Sequence, residues 1–439
     1  MGVLGRLVSD ARTAQKVLRN GLQNRRTRND ANRIAAGAAR PLPGTIQVGV
    51  YFADTRVNLY QIRQWYAPLA ELAKHRGVAI IARSPGAYLT IREESPVPVL
   101  YLRTVTDIEG FLAQQDLTTM LYVNQNIKNF QMFRYGRMWH VFINHGESDK
   151  IYMTSNQYKA YDFAFVAGQA ALDRLGKKLW NYDLERRAIP IGRPQTDHLS
   201  DEVPFEGNGR TVVFYAPTWE GDRPTMAYGS IASHGVALAR AVLASPTHRL
   251  IYRPHPRSGV NSREYREANL EIQRMIAAAN AADPAAGHLF DDGGVLGWQI
   301  AVADVQVTDI SAMVYDRLAT GKPLVVTRPE SPTAQVDEAG YLGAAEWMST
   351  ADLADPLAFL GRVMTDDAAR ANLAHWAEHH FGDTTPGAAT ARFHAAIDHL
   401  VELWNEQVAL HPGEARVEHD PQDDQDDAGD DDESVPQAD

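Results

Sequence analysis

Short runs of apolar, largely β-branched residues recur along the chain and end at polar or turn-forming residues. One such stretch is Val305-Gln306-Val307, with two β-branched valines, and Thr308, Asp309 and Ser311 follow it before a helical pattern begins. A Gly-Lys-Pro break at residues 321–323 then precedes another apolar run at residues 324–326. Buried strands of parallel sheets have this composition, so the stretch predicts a strand, a polar turn, a helix and a second strand.

The same alternation of strand and helix patterns fills two long segments of the chain. In the first segment, strands are predicted at residues 46–52, 78–81, 97–101, 119–123, 139–143, 163–166 and 188–191. In the second, they are predicted at residues 211–216, 250–252, 289–290, 305–308 and 324–326. Such alternation implies parallel sheets covered by helices on both faces, so the predicted fold class is α/β with two Rossmann-type domains.

A chain of 439 residues is long for one domain, and its 44% of hydrophobic residues are enough for ordinary cores. A polar, turn-rich segment at residues 198–209 marks the expected boundary between domains. The expected divisions are a basic arm and linker at 1–43, an N-terminal acceptor domain at 44–200, a C-terminal nucleotide-donor domain at 208–410 and an acidic tail at 413–439.

Two absences narrow the function classes. The chain has no cysteine, which excludes disulfides, thiolate metal ligands and cysteine nucleophiles. No run of about 20 apolar residues occurs, and the N-terminus lacks the apolar core of a secretory signal, so we expect neither a membrane span nor export.

Charge is distributed unevenly along the chain, whose formal net charge is -12. Residues 1–40 carry nine Arg/Lys and two Asp, and leucines at helical spacing alternate with them. This pattern fits either an amphipathic helix on an anionic membrane surface or a loosely ordered basic arm. Residues 413–439 carry twelve acidic residues and are expected to be disordered. The remaining core is mildly acidic, which argues against a nucleic-acid partner.

Two candidate site residues follow the predicted strand at residues 139–143. His145 stands beside Gly146, and an imidazole with a near-neutral pKa suits a general base. Lys150 is a candidate phosphate contact. The structural alternatives are a satisfied core histidine and a solvated lysine.

Three further strand ends carry candidates for binding a phosphorylated ligand. Thr218, Arg253 with His255, and Thr308 with Asp309 and Ser311 each follow a predicted strand. Hydroxyls, backbone N–H groups at a helix start and a guanidinium fork all bind phosphates. The alternatives are an ordinary loop at Thr218, a structural use of Arg253 and His255, and a helix cap at Asp309 or Ser311.

Several common site types are absent from the sequence. There is no HExxH motif, and His379 and His380 are adjacent, so they point apart on a helix. There is also no GxGxxG, GxxxxGK[ST] or GxSxG motif. We therefore expect no metal, no cofactor, and neither a common dinucleotide site nor a P-loop.

Taken in order, these motifs resemble those of the CDP-glycerol glycerophosphotransferases, the teichoic-acid polymerase family. The resemblance rests on His145-Gly146 and on the segments 215–219, 253–256, 308–316 and 321–323, and it covers about residues 45–385. Each motif is weak alone, whereas the ordered set is fairly specific.

The resemblance implies a GT-B fold, in which two Rossmann-like domains flank a cleft. It implies transfer of a glycerol-phosphate, or a similar polyol-phosphate, from a CDP-activated donor to a hydroxyl of a cell-surface polymer or lipid-linked acceptor, with release of CMP. His145 would be the catalytic base, and Asp309 would orient its loop at the catalytic site. The donor would be held by Lys150, Thr218, Arg253, His255, Thr308 and Ser311.

The chain also departs from the family pattern. Glu147-Ser148-Asp149 follow His145-Gly146, where family members commonly have a threonine and a small or apolar residue. This leaves open a GT-B glycosyltransferase that uses a nucleotide sugar, and a non-catalytic scaffold is the alternative from another class. The expected location is the cytoplasm, peripherally on the inner face of the cell membrane.

Overall fold

The structure is a computed structural model, and it describes residues 3–147, 154–200, 202–293 and 297–413. These residues form two compact units. The first holds the described residues up to His145, residues 157–165 and those from His394 onward. The second holds the described residues of 146–156 and 166–393.

Strands form where the sequence has its apolar, β-branched and aromatic runs. Within the described residues they are β1 (Val48–Phe52), β2 (Val78–Ala82), β3 (Val99–Tyr101), β4 (Thr119–Tyr122), β5 (Trp139–Phe142), β6 (Phe163–Val166), β7 (Ala188–Pro190), β8 (Thr211–Ala216), β9 (His248–Tyr252), β10 (Leu289–Phe290), β11 (Val305–Thr308), β12 (Leu324–Thr327) and β13 (Trp347–Met348).

The strands make two sheets with the same pattern of neighbours. The first has the order β3-β2-β1-β4-β5-β6-β7, and the second has β10-β9-β8-β11-β12-β13. The strands pair in parallel, as in β8 with β11 and β1 with β4. In each sheet the order in which successive strands are added reverses beside the first strand, at β1/β4 and at β8/β11. Open α/β sheets bind ligands outside the carboxyl ends of the strands at such a switch point.

The helices lie between the strands. In the described part of the chain they are α1 (Val3–Gly37), α2 (Leu59–Arg63), α3 (Tyr66–Leu72), α4 (Pro85–Glu94), α5 (Val105–Gln114), α6 (Gln169–Lys178), α7 (Leu184–Arg187), α8 (Val236–Ala244), α9 (Arg263–Ala282), α10 (Trp298–Val302), α11 (Ala312–Leu318), α12 (Pro356–Thr365), α13 (Asp367–Phe381) and α14 (Ala388–Leu410). None of the described helices is long and apolar enough to cross a membrane.

Both faces of the second sheet are buried, which fixes the positions of its strand ends. Successive residues of a strand face opposite sides. Val213 and Tyr215 accordingly pack in one apolar cluster, while Val212 and Phe214 pack in another. Burying one such side chain stabilises the fold by roughly 1.5–3 kcal/mol. The predicted α/β class with two parallel sheets is confirmed.

Two local features differ from the sequence expectation. The apolar spacing of residues 60–75 predicts a single helix, whereas the structure has two helices, α2 and α3, which end and begin on either side of Trp65. Trp65 is 1% exposed, and its indole N–H donates to Asn144 O at 2.5 Å. A tertiary contact of this kind overrides local helix propensity.

The C-terminal helix α14, assigned from the sequence to the second domain, contributes its residues from His394 onward to the first unit. Trp139 Nε1 donates to Leu400 O at 2.9 Å. Arg76 Nη2 lies 2.5 Å from Asp398 Oδ1. The return of the chain to the first unit rests on these long-range contacts, which leave no trace in local sequence.

Candidate functional site

The loops that carry the candidate residues of the second unit leave neighbouring strands at one edge of the sheet. Residues 217–221 follow β8, residues 253–257 follow β9, and residues 309–311 follow β11. Parallel strands place their carboxyl ends at the same edge, and β8 and β11 flank the switch point. The sheet therefore brings together motifs that lie about ninety residues apart in the chain.

The carboxyl group of Asp309 connects the loops at this edge through hydrogen bonds. Its side chain is fully buried. Oδ2 accepts from the backbone N–H of Thr218 at 2.7 Å and of Ser230 at 3.1 Å. Oδ1 accepts from the Thr327 hydroxyl at 2.5 Å. One carboxyl group thus fixes the ends of β8 and β12 to the end of β11.

Burial raises the pKa of Asp309 to about 6, although the hydrogen bonds from Ser230, Thr327 and Thr218 act to lower it. The free-energy cost of removing the carboxylate from water exceeds the stabilisation that these neutral hydrogen-bond donors provide. With no exposed surface, Asp309 acts by positioning loops and does not itself contact a ligand.

The structure gives internal roles to two of the predicted hydroxyl ligands. Thr308 is fully buried, and its hydroxyl donates to Ala216 O at 2.7 Å, which joins β11 to β8. This geometry does not support a contact between the Thr308 side chain and a ligand. Ser311 is the N-cap of α11, and its hydroxyl accepts from the Met313 N–H at 3.3 Å. The cap leaves Ser311 partly exposed at the edge of the sheet.

Thr218 presents its side chain and not its backbone. Its N–H is taken by Asp309, so this donor is not offered to a phosphate. The residue is partly exposed, and no hydrogen bond within the described ranges holds its hydroxyl. Of the polar groups of Thr218, the hydroxyl is therefore the one that could bind a ligand.

Arg253 is already oriented by an acid of its own unit. Nη1 donates to Asp291 Oδ2 at 2.6 Å, and Nη2 donates to Gly293 O at 2.8 Å. The ion pair is only partly exposed, with 19% of the Arg253 side chain and 11% of the Asp291 side chain accessible. Asp291 thus offsets part of the positive charge that Arg253 would offer to a phosphorylated ligand.

His255 is held in one neutral tautomer. Its Nδ1 accepts from the backbone N–H of Arg257 at 3.1 Å. A backbone N–H only donates, so Nδ1 carries the lone pair and Nε2 carries the hydrogen. Burial, followed by the nearby Arg257 charge, lowers the pKa of His255. The ring is therefore neutral near pH 7 and offers an Nε2–H donor, which suits a phosphate oxygen.

Glu220 is a structural residue of the site that the sequence analysis did not single out, although it directly follows the segment 215–219. Its carboxylate accepts from the backbone N–H groups of Gly259, Asn261 and Ser262 at 2.7–2.9 Å. Burial alone would raise its pKa, but these bonds outweigh burial and lower the pKa. Glu220 thereby ties the loop after β8 to the turn that leads into α9. Loop-spanning contacts of this kind have no local sequence signal.

His145, in the first unit, follows β5 and is held in the opposite tautomer. Its Nδ1 lies 2.9 Å from Val123 O. A carbonyl only accepts, so Nδ1 carries the hydrogen and Nε2 carries the lone pair. Asn144 precedes it with φ of 55°, a left-handed conformation that asparagine tolerates better than most residues. A neutral imidazole with its lone pair on Nε2 is a general base that takes a proton at that atom.

The first acid after His145 has an ion-pair partner of its own. Glu147 is 8% exposed and forms an ion pair with Arg174 of α6. Its charge is therefore compensated internally. Lys150, together with Ser148 and Asp149, lies outside the described residues.

A cavity of about 300 Å³ lies between α6 and α13, and none of the candidate site residues lines it. Its walls include Lys177, Lys178 and Trp376. No group of three or more His, Asp or Glu side chains in the described residues is arranged to hold a metal ion.

Comparison with known proteins agrees with this picture. The family model of CDP-glycerol:poly(glycerophosphate) glycerophosphotransferases matches residues 140–348, so the resemblance inferred from the sequence is confirmed. No curated protein gives a significant match.

Solved structures share the fold at low identity. The wall teichoic acid polymerase TagF aligns with a TM-score of 0.53 and 12% identity, covering 91% of this chain and 99% of its own. A UDP-N-acetylglucosamine 2-epimerase aligns with a TM-score of 0.52 and 15% identity, covering 82% of this chain and 97% of its own. At these identities the likeness shows a GT-B-like fold, which confirms the predicted fold class.

Proposed function

We propose that this chain, which is similar to the CDP-glycerol glycerophosphotransferases, transfers a glycerol-phosphate or similar polyol-phosphate unit from a CDP-activated donor to an acceptor hydroxyl. The acceptor is the end of a cell-surface polymer or a lipid-linked precursor of one. The observation that carries the proposal is the family match over residues 140–348, a range that contains every candidate site residue. At the level of the family, both comparisons support a CDP-polyol transferase.

In the proposed reaction, His145 Nε2 takes the proton of the acceptor hydroxyl. The hydroxyl oxygen attacks the β-phosphorus of the donor and forms a new phosphodiester bond. The bond from the β-phosphorus to the bridging oxygen breaks, and CMP leaves with that oxygen. General-base catalysis of this kind typically contributes roughly 10²–10⁴-fold to a rate.

We assign the donor to the loops of the second unit. His255 donates its Nε2–H to a phosphate oxygen, and the hydroxyls of Thr218 and Ser311 donate alongside it. Arg253, oriented by Asp291, supplies positive charge that offsets the charge developing on the leaving group. Thr308 and Asp309 hold these loops in position through their buried hydrogen bonds. Lys150 remains a proposed phosphate contact.

The test compares ligands for their effect on thermal stability. CDP-glycerol, CDP-ribitol, CDP, CMP, UDP and GDP are added separately to the full chain. A ligand at ~100 times its dissociation constant stabilises the folded state by about 2.7 kcal/mol. We expect cytidine diphosphates to raise the melting temperature and His255→Ala to reduce the effect. A response to UDP or GDP alone would point to a nucleotide-sugar transferase instead.

We further propose that the basic arm brings the enzyme to the inner face of the cell membrane. Residues 1–40 carry nine Arg/Lys against two Asp, and residues 3–37 are helical. Each basic residue near an anionic surface contributes about 1 kcal/mol of attraction. Flotation with phosphatidylglycerol vesicles should recover the full chain but not a chain lacking residues 1–40. Equal recovery with neutral phosphatidylcholine vesicles would contradict an electrostatic attachment.

A further inference from the structure

The first sheet carries a polar side-chain network at its own switch point, which the sequence analysis did not single out. Asp54 follows β1, and Asn124 follows β4, so both lie at the carboxyl edge beside the reversal in strand order. Asn124 Nδ2 donates to Asp54 Oδ2 at 3.3 Å and to Gln61 Oε1 at 2.7 Å. Open α/β sheets bind ligands at this position.

The network leads directly to His145. Gln61 Nε2 donates to the Tyr60 hydroxyl at 3.3 Å. The Tyr60 ring stands edge-on to the His145 ring, with centroids 5.6 Å apart. From the other side, His145 Nδ1 donates to the carbonyl of Val123, the residue just before Asn124. The base and the network are thus held by the same few residues of β4 and α2.

Asn124 is buried but keeps an acceptor to offer. The residue is 6% exposed, and its Nδ2 is committed to two acceptors, which fixes the orientation of the amide. In the part of the chain that the structure describes, no group donates to Asn124 Oδ1. Asn124 Oδ1 is not one of the enclosed, unpartnered side-chain atoms of the described residues, so it reaches the surface, where it can accept a hydrogen bond from a ligand hydroxyl.

Asp54 determines which chemistry fits. Its carboxylate accepts from the Thr55 N–H at 2.7 Å and from Asn58 Nδ2 at 3.0 Å, and no cation pairs with it among the described residues. An uncompensated carboxylate repels phosphate groups. It accepts hydrogen bonds from hydroxyls, and a carboxylate has about four acceptor positions.

We infer that Asp54 and Asn124 form an acceptor subsite that binds the hydroxyls next to the attacking one, as in the vicinal diol at the end of a polyol. The attacking hydroxyl is thereby presented to His145 Nε2. The inference rests on the proposed function for the role of His145, but the binding of a diol at this subsite does not depend on the donor.

The experiment compares two probes that differ by one hydroxyl. Both sn-glycerol 3-phosphate and propane-1,3-diol monophosphate carry a terminal hydroxyl and a phosphate, and only the first has a vicinal diol. Binding of each to the full chain is measured by saturation-transfer NMR without donor, and each is then assayed as acceptor with CDP-glycerol. We expect the wild type to prefer the diol by roughly 10- to 100-fold, since the lost bond is to a buried or charged acceptor.

Asp54→Asn is the informative variant because it keeps the size of the side chain while removing the charge. It should reduce the preference for the diol by roughly tenfold. Asn124→Ala should reduce it further, and Glu93→Gln, a change at an exposed carboxylate of the same unit, should leave it intact. Loss of folding would lower the binding of both probes and the thermal response to CDP, whereas loss of the subsite lowers only the preference.

Equal binding of the two probes by the wild type would overturn the inference, as would an unchanged preference in both variants. A preference for the diol in a chain that transfers nothing from CDP-glycerol would refute the proposed function and leave the polyol subsite standing. Transfer from CDP-glycerol without any preference for the diol would support the proposed function and refute the polyol subsite.

Discussion

The loops around His145 and His255 use the same side chain in opposite ways. Each follows a strand of a parallel sheet, and each ring is oriented by a hydrogen bond between Nδ1 and the backbone. His145 meets a carbonyl oxygen, so Nε2 has the lone pair. His255 meets an N–H group, so Nε2 has the hydrogen. A single backbone atom decides whether the exposed end of the ring takes a proton or donates a hydrogen bond.

The groups that surround the two rings differ in a way that matches the position of the ring hydrogen. Near His145, the carboxylate of Asp54 and the amide of Asn124 offer acceptors to hydroxyl groups. Around His255, Arg253 and Arg257 supply positive charge, and Arg257 lies 3.9 Å over the Trp219 ring. The first region suits a neutral acceptor that loses a proton, and the second suits an anionic donor. The following changes test this division, from the largest expected effect to the smallest.

Replacing His145 should lower the rate of transfer without weakening the binding of the donor. We expect His145→Ala to lower the transfer rate by roughly 10²–10⁴-fold, because the general base is removed. Binding of CDP should be unchanged, because His145 is not part of the donor loops. Single-turnover kinetics with CDP-glycerol measure the first quantity, and titration calorimetry measures the second.

The matched control is His399→Ala, at an exposed histidine of the same unit, which should leave both quantities at wild-type values. A fall in CDP affinity in His145→Ala, with the rate constant of transfer intact, would reverse the roles that we assign.

Asp309 sharpens the comparison, because the proposed donor loops rest on its fully buried carboxyl group. Its folded-state pKa of about 6 lies above the ordinary value of 3.8, so the folded chain binds the extra proton between these values. The free energy of unfolding therefore falls as the pH rises from about 4 to about 6. Asp309→Asn does not titrate and should gain about 3 kcal/mol relative to wild type between pH 4 and pH 7.

Urea unfolding at a series of pH values measures this gain. Asp304→Asn, at an exposed carboxyl group that accepts from the Val212 N–H at the other end of β11, is the control. Parallel stability profiles for wild type and Asp309→Asn would show that the carboxyl group is not buried as described.

Replacing His255 should affect binding more than chemistry. A hydrogen bond to a charged group contributes about 1.5–3 kcal/mol, so His255→Ala should weaken CDP binding by roughly 10- to 100-fold. His255→Gln, whose amide also donates, should recover part of the loss. Titration calorimetry with CDP distinguishes the variants. Wild-type affinity in His255→Ala would remove His255 from the donor site.

Glu220 should give the smallest effect. Glu220→Gln replaces charged acceptors for three backbone N–H groups with neutral ones, and we expect a loss of about 1 kcal/mol in unfolding free energy. Because the pKa of Glu220 is lowered, its contribution is present above its unfolded pKa and is lost as the pH falls through the folded value. Glu264→Gln, at an exposed carboxyl group in the first turn of α9, should change little. Equal losses of unfolding free energy in the two variants would show that the hydrogen bonds to Glu220 contribute no more to stability than an exposed carboxyl group does.

Much of the fold follows from the sequence because buried strands have a local signature. The observed bounds of Phe163–Val166 and Thr211–Ala216 are those predicted from their apolar runs. The strand Trp347–Met348 was not predicted, since two residues show no period. The break between α2 and α3 was missed because it depends on the contact of Trp65 with Asn144, which lies 79 residues away.

For the site, the sequence indicated the loops but not the internal partners of their residues. Thr308, Asp309 and Ser311 were chosen for their place after a strand, and that place is correct. Only the structure shows that the Thr308 hydroxyl is used between strands and that Asp309 is enclosed. Their partners Ala216, Thr218 and Ser230 lie 79–92 residues away, so no local pattern indicates them.

The most direct test of the central claim is long-range ¹H–¹⁵N NMR of the histidine rings, assigned with His145→Ala and His255→Ala. The account predicts that near pH 7 His145 has hydrogen on Nδ1 and a lone pair on Nε2, whereas His255 has the reverse. Addition of CDP-glycerol should shift the Nε2–H of His255. The same tautomer for both rings, or no response of His255 to the donor, would contradict the assignment of base and donor ligand.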